Sequence, residues 1–286
     1  MLRFLVVEGN TLEGRTRHAA ARGQMPSESY GRVLNELAAD ASVDICYPAD
    51  TGANLPDAGG LEAYDGVVIT GSALHIYHLT PEITQQIDLI RTAFTSGTPI
   101  FGSCWGAQLI TVAGGGTVHK NPRGREFGFA RKITPNEMGR GHPLLAGRPV
   151  AFDAPAVHLD EVAVPAQGTI VLASNEVSPV QAIELKVGAS TAWAVQYHPE
   201  FSFSEVASIG GQIGQSLINE GFFDTLDDLA RWRSDLERLH ADPTDGVVAW
   251  RQALDTEVTD TNKRRREIAN FIDYLVRPTK SERGRA

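Results

Sequence analysis

Over the first 116 residues, short apolar runs rich in β-branched side chains alternate with amphipathic stretches, and this alternation constrains the fold more than any other feature of the chain. "RFLVVEG", "VDICYPA", "YDGVVITGS" and "TPIFGS" read as four buried strands. "SESYGRVLNELAAD" has Tyr30, Val33, Leu34 and Leu37 at helical spacing, with Ser27 or Ser29 as its cap. "TPEITQQIDLIRTAFTSG" is a second helix, capped by Thr80, opened by Pro81 and stopped by Gly97. "WGAQLITVAGG" is a third, and Gly114 to Gly116 read as its cap and a tight turn. The polar residues 11–28, with Arg15, Arg17 and Arg22, read as a loop. Fully apolar strands with helices between them predict an α/β fold, an open, mostly parallel sheet covered by helices on both faces. Such sheets carry their chemistry at the carboxyl ends of the strands. Gly71, Ser72 and Cys104 fall at those ends.

From about 117 to 200 short strand-like pieces are separated by Gly and Pro, which predicts an antiparallel or mixed extension of the sheet. "SEVASIGGQIGQSLINEG" reads as a helix weakened by its glycines. Beyond 221, Phe222, Leu226, Leu229, Leu236 and Leu239 form one helical stripe, and Ile268, Phe271, Ile272, Leu275 and Val276 another, with Pro278 as its stop. The expected organisation is a domain over 1–220, a helical extension over 221–278 and a disordered tail over 279–286. The extension reads as structural cover or as a docking surface, and "NKRRRE" (262–267) as a solvated helix face.

A net charge of −9 argues against binding nucleic acid or an anionic membrane. Two cysteines far apart make neither a disulfide framework nor a zinc site, so no metal is expected. The short apolar start lacks the pattern of a signal peptide, and no run approaches the roughly 18 apolar residues of a membrane span. The expected location is the cytoplasm.

Gly102-Ser103-Cys104-Trp105-Gly106 places a cysteine between strand and helix, with glycine two residues to either side. This is the arrangement of a nucleophile elbow, too tight for side chains at the flanking positions. It thrusts the thiol out at the sheet edge and sets it at a helix N-terminus, where thiolate is favoured. Cys46 has no such setting and reads as core. In "VQYHPE", Pro199 forces His198 into an extended conformation, so Glu200 faces the same side and can hold the ring's N–H.

With these pieces, and with "DGVVITGS", "GREFGFA" and "VHLDEV" in the same order, the chain resembles the class I (triad) glutamine amidotransferases over residues 1 to about 220. The resemblance is greatest to the glutaminase domain of GMP synthases and its stand-alone relatives. It implies Cys104 as nucleophile, His198 as general base and then acid, and Glu200 as the group that orients His198. It implies an oxyanion hole from the backbone N–H groups of Ser72 and Trp105. Gly71, Gln108, His158 and Asp160 would contact the substrate. The implied reaction is hydrolysis of the glutamine side-chain amide through a γ-glutamyl thioester, with no cofactor. Two departures stand out. The family loop usually runs Gly-Gly-Pro or Gly-Ser-Pro, here Gly71-Ser72-Ala73, which puts its rigidity in question; and residues 158–160 are His-Leu-Asp. His75 and His78 would line the mouth or be plain loop residues.

No G-x-x-x-x-G-K-[ST] or Ser-Gly-Gly-Val-Asp loop is present, so ammonia would pass to a separate synthase subunit or leave as product. Two rivals remain. One is a hydrolase of γ-glutamyl peptides or amides, with the same triad and a different leaving-group pocket. The other is a non-catalytic binding homologue. The three arginines near the first strand would meet an anionic acceptor or partner.

Overall fold

The computed structural model describes residues 1–284. Among the described residues, eleven strands form two sheets: β1 (Leu2–Val7), β2 (Ala41–Cys46), β3 (Gly66–Ile69), β4 (Ile100–Ser103), β5 (Thr117–Lys120), β6 (Glu126–Pro135), β7 (Phe152–His158), β8 (Asp160–Val164), β9 (Thr169–Ser174), β10 (Ala182–Val187) and β11 (Ser190–Val195). The main sheet runs β2-β1-β3-β4-β11-β10-β9-β6-β7, and β5 pairs with β8. Strands β2, β1, β3, β4 and β11 are mutually parallel, in register through Val6–Val68, Val68–Phe101 and Trp193–Phe101. From β11 outward the pairing is antiparallel. The mixed sheet expected from the sequence is therefore one continuous surface, and the carboxyl ends of β1, β3, β4 and β11 meet at one edge.

Alternation along β1 divides the core. Phe4 and Val6 enter a cluster with Tyr30, Val33 and Leu34, from the helix Pro26–Leu37. Leu5 and Val7 face the other way, against Ile83, Ile87 and Ile90 of the helix Pro81–Thr95 and Leu109 and Ile110 of Trp105–Ala113.

Five expectations are corrected. Residues 12–22 form a helix, with Thr11 as cap and Gly23 at φ 74° as stop. Its inward face is polar, Arg15 paired to Asp50 at 2.5 Å, so no apolar stripe announced it. The next helix starts at Pro26, with Ser27 and Ser29 inside it rather than capping it. Pro278 does not stop the last helix. A π turn over Ile272–Val276 shifts the hydrogen-bond ladder that the proline ring would otherwise break, and helix resumes over Arg277–Glu282. The expected tail is thus ordered to that point, with Lys280 Nζ donating to the Met1 carbonyl at 2.6 Å; residues 285–286 lie outside the described residues. Nor is 262–267 a solvated face. Arg264 is buried over the Phe203 ring, and Glu267 is fully buried between Arg148 (2.7 Å) and Tyr197 (3.0 Å).

Candidate active site

The elbow has the backbone its sequence requires. Cys104 sits at φ 50°, ψ −100°, a strained conformation for a residue with a side chain, and its N–H is tied to the Val195 carbonyl of β11 at 2.8 Å. A Cβ on Gly102 would come within 2.5 Å of the Gly106 carbonyl carbon, and one on Gly106 within 2.9 Å of the Ile69 oxygen. Trp105 opens the helix, so its N–H has no intrahelical acceptor. The Cys104 sulfur lies 3.8 Å from the Val157 carbonyl oxygen and is 4% exposed as a residue.

His198 follows β11. Its N–H is fixed to the Pro155 carbonyl at 2.7 Å, its Nδ1 lies 2.7 Å from Glu200 Oε1, and its ring stacks on Phe201 at 3.8 Å and 3°. Burial alone would pull the ring toward neutrality; the Glu200 carboxylate and the Cys104 sulfur outweigh it and raise His198 to about 10. Gly71 lies against that ring, since a Cβ there would be 2.5 Å from Cε1.

A cavity of about 370 Å³ brings together Gly71, Ser72, Cys104, Gln108, His158, Asp160, His198 and Glu200. Trp105 does not line the cavity; it is buried, its indole N–H donating to Gln86 Oε1 at 2.9 Å. Gln108 Nε2 donates to the Asp160 carbonyl at 3.3 Å. Asp160 Oδ2 lies 2.6 Å from His75 Nδ1, and Oδ1 accepts from Tyr77 at 3.2 Å. His158 has both nitrogens engaged, with Glu126 Oε2 at 2.8 Å and the Asp160 carbonyl at 3.0 Å. Its ring props the 158–160 segment. His75 lines the cavity; His78 does not, its ring meeting those of His75 and Tyr77 edge-on instead. Of the three arginines, Arg15 is closed on Asp50 and Arg22 on Ser204, while Arg17, paired with Glu13, stands in the cavity wall.

Sequence reasoning missed Asn10, Thr70, Tyr77 and His18. Asn10 ties the Gly71-Ser72-Ala73 loop to the segment after β1: its Oδ1 accepts from Ser72 Oγ and Ala73 N, both at 3.3 Å, and its Nδ2 donates to the Gly71 carbonyl at 3.1 Å. Its place just past β1, at the carboxyl edge, was the available signal. His18 projects from the helix Leu12–Arg22 into the wall with its Nε2 buried and unpartnered. Among the described residues no cluster of His, Cys, Asp or Glu could hold a metal, and no helix is long and apolar enough to cross a membrane.

The family model described as "Glutamine amidotransferase class-I" matches residues 31–208. A gamma-glutamyl-L-1-hydroxyisopropylamide hydrolase from Pseudomonas sp is 36% identical over 286 residues, spanning 97% of this chain and 94% of that protein. A glutamine-hydrolyzing GMP synthase subunit from Methanococcus maripaludis is 32% identical over 144 residues, 50% of this chain and 68% of that protein. The solved structure of a glutamine amidotransferase from Thermotoga maritima superimposes with a TM-score of 0.64 at 17% identity, over 96% of this chain and 98% of that one, a likeness of fold.

Proposed function

This chain belongs to the class-I glutamine amidotransferase family, and from that premise we propose that it is a stand-alone, cysteine-dependent hydrolase of γ-glutamyl amides, releasing glutamate and an amine. The observation that carries the reading is the composition of the cavity wall. Gly14, Arg17, His18, Pro26, Ser29, Ile209, Gln212 and Ile213 line the cavity that holds Cys104 from two segments outside the 31–208 family match, with Ser29 hydrogen-bonded to Glu205. They leave space beside the triad for an amine larger than ammonia. The similarity to the γ-glutamyl-hydroxyisopropylamide hydrolase runs through both segments and to the C-terminal helices, which supports the same reading. The unpartnered His18 Nε2 suits an uncharged polar group, such as a hydroxyl, on that amine.

The chemistry follows from the site. The imidazolium at His198 stands beside the Cys104 sulfur as the proton donor, and the thiolate is the form that attacks. The thiolate attacks the γ-carbonyl carbon, and the oxygen's developing charge meets the Ser72 and Trp105 N–H groups. A preorganised donor of this kind contributes about 10²–10³ in rate. His198 gives its proton to the departing amine and then draws one from the water that cleaves the γ-glutamyl thioester. Glu200 keeps the other ring nitrogen protonated throughout. Gln108 and Asp160, the latter held by His75 and Tyr77, receive the amino-acid end of the substrate. No cofactor enters, and the site of action is the cytoplasm.

A second reading rests on the half-length likeness to the GMP synthase subunit: a glutaminase supplying ammonia to a separate synthase. The test compares glutamate release from glutamine and from a γ-glutamyl hydroxyalkylamide by the purified chain, with Cys104→Ala as control. We expect Cys104-dependent turnover and a higher kcat/KM for the hydroxyalkylamide. Preference for glutamine would move the protein to the second reading; absence of turnover on both would leave a binding homologue.

A further inference from the structure

We infer that Asn10 is a positioning residue that holds the Ser72 N–H turned into the cavity, so that the oxyanion site stands assembled without a partner protein. The inference rests on the role proposed above for Ser72.

One peptide group sets the direction of that N–H. The Gly71 carbonyl oxygen accepts from Thr70 Oγ1 at 3.0 Å and from Asn10 Nδ2 at 3.1 Å. In a trans peptide the C=O and the following N–H point in opposite directions, and the chain has no cis bond among the described residues. Asn10 Nδ2, from the segment after β1, and Thr70 Oγ1, which follows β3 and itself accepts from Gly9 N at 2.9 Å, hold the Gly71 oxygen toward that segment and so turn the Ser72 N–H away from it. The His198 ring packs against Gly71, and both line the cavity with Cys104.

The Asn10 side chain is itself held in one orientation. Glu8, fully buried, accepts at Oε1 from the Asn10 backbone N–H (3.0 Å) and from Nδ2 (2.8 Å), and at Oε2 from Ser27 N (2.9 Å). Rotating the amide by half a turn would set its oxygen against both the Glu8 carboxylate and the Gly71 carbonyl, so only the observed orientation is compatible with its neighbours. In that orientation Oδ1 takes the Ser72 hydroxyl and the Ala73 N–H, while the Ser72 hydroxyl oxygen accepts from Leu74 N at 3.2 Å. Glu8, Asn10 and Thr70 thus supply by hydrogen bonds the rigidity that a proline at position 73 would supply through its ring.

The experiment uses the full chain with Asn10→Ala and, as a milder variant, Thr70→Val, which removes one of the two donors to Gly71. Three quantities are read: kcat and KM on a γ-glutamyl amide, the rate at which iodoacetamide alkylates Cys104, and the Gly71–Ser72 peptide orientation in crystals. Alkylation forms an S–C bond and expels iodide from a saturated carbon, so it reports the thiolate and builds no oxyanion. For Asn10→Ala, kcat is expected to fall on the order of 10²-fold, as when one oxyanion donor is lost. KM and the alkylation rate stay near wild type, and the peptide turns over. Thr70→Val shows a smaller fall with the same selectivity. Turnover at the wild-type level, an equal fall in turnover and alkylation, or an unchanged peptide in Asn10→Ala would each overturn the inference. A wild type silent on every γ-glutamyl amide would instead overturn the hydrolase reading, and the peptide orientation in Asn10→Ala crystals would then decide this one.

Discussion

His198 sits under opposed influences, and their balance sets both its charge and its share in stability. Burial favours the neutral ring, but the Glu200 carboxylate and the Cys104 sulfur raise it from 6.5 to about 10. A folded-state value above the unfolded one means that the imidazolium stabilises the fold. That contribution is complete below pH 6.5 and is lost as pH rises through about 10. Cys104→Ala removes one of the two raising partners, so the His198 midpoint is expected to fall, and the pH at which the contribution is lost falls with it. Nitrogen NMR of the ring through a pH series checks this; a midpoint unmoved from about 10 would show that the sulfur does not act on the ring. The elbow itself was legible because its glycines carry a backbone reason for their spacing, whereas Glu200 reaches the His198 ring through a turn, with Phe201 N donating to the His198 carbonyl at 3.2 Å, and not through the extended pair expected from the sequence. Asn10 was not legible, because its role depends on a contact across 61 residues with Gly71, which no local pattern records.

At the scale of elements, the elbow's glycines are a packing requirement between β4 and the helix that follows it. A Cβ at Gly102 would meet backbone atoms at 2.5, 2.7 and 2.9 Å, none of which can rotate away. Gly102→Ala is expected to destabilise the fold by about 1–3 kcal/mol or more, as overpacking does. Gly141 has open space and φ −98°, and Gly141→Ala is expected to stabilise by about 0.4–1 kcal/mol through the unfolded chain. Urea unfolding of the two variants reads both signs, and a Gly102→Ala as stable as wild type would show that the elbow tolerates a side chain there. The inner parallel strands β3 and β4 were legible because they are buried on both faces, whereas the parallel pairing of β11 with β4 was not, since its segment carries the Gly and Pro punctuation of the antiparallel region. The helix Leu12–Arg22 escaped because pattern reading looks for apolar stripes, and this helix turns Arg15 and His18 inward instead. Its end signals, Thr11 and Gly23, were present in the sequence, unsupported by any stripe between them.

For the whole molecule, the boundary expected near 220 separates segments that share one core. Ile268, Phe271, Ile272 and Val276, each at most 1% exposed, pack in the same cluster as Phe4, Val6, Phe101 and Trp193 of the parallel strands. The Phe271 ring lies 5.3 Å from that of Phe101 and 6.4 Å from that of Trp193. Glu267, one turn earlier, accepts from the hydroxyl of Tyr197, the neighbour of His198, and pairs with the buried Arg148. We propose that the C-terminal helices are a cover whose removal exposes one face of the catalytic sheet, rather than an appendage on a finished domain. Phe271→Ala then empties a site between β4, β11 and the last helix, at an expected cost of about 3–5 kcal/mol. Thermal unfolding followed by circular dichroism, with residual hydrolysis assayed at each temperature, separates the alternatives. An appendage would give an early partial transition with hydrolysis intact beyond it. A cover gives one cooperative transition, shifted downward, with hydrolysis lost along the same curve, because the helix that leaves takes with it the packing behind β4 and β11, the strands that end at Cys104 and His198.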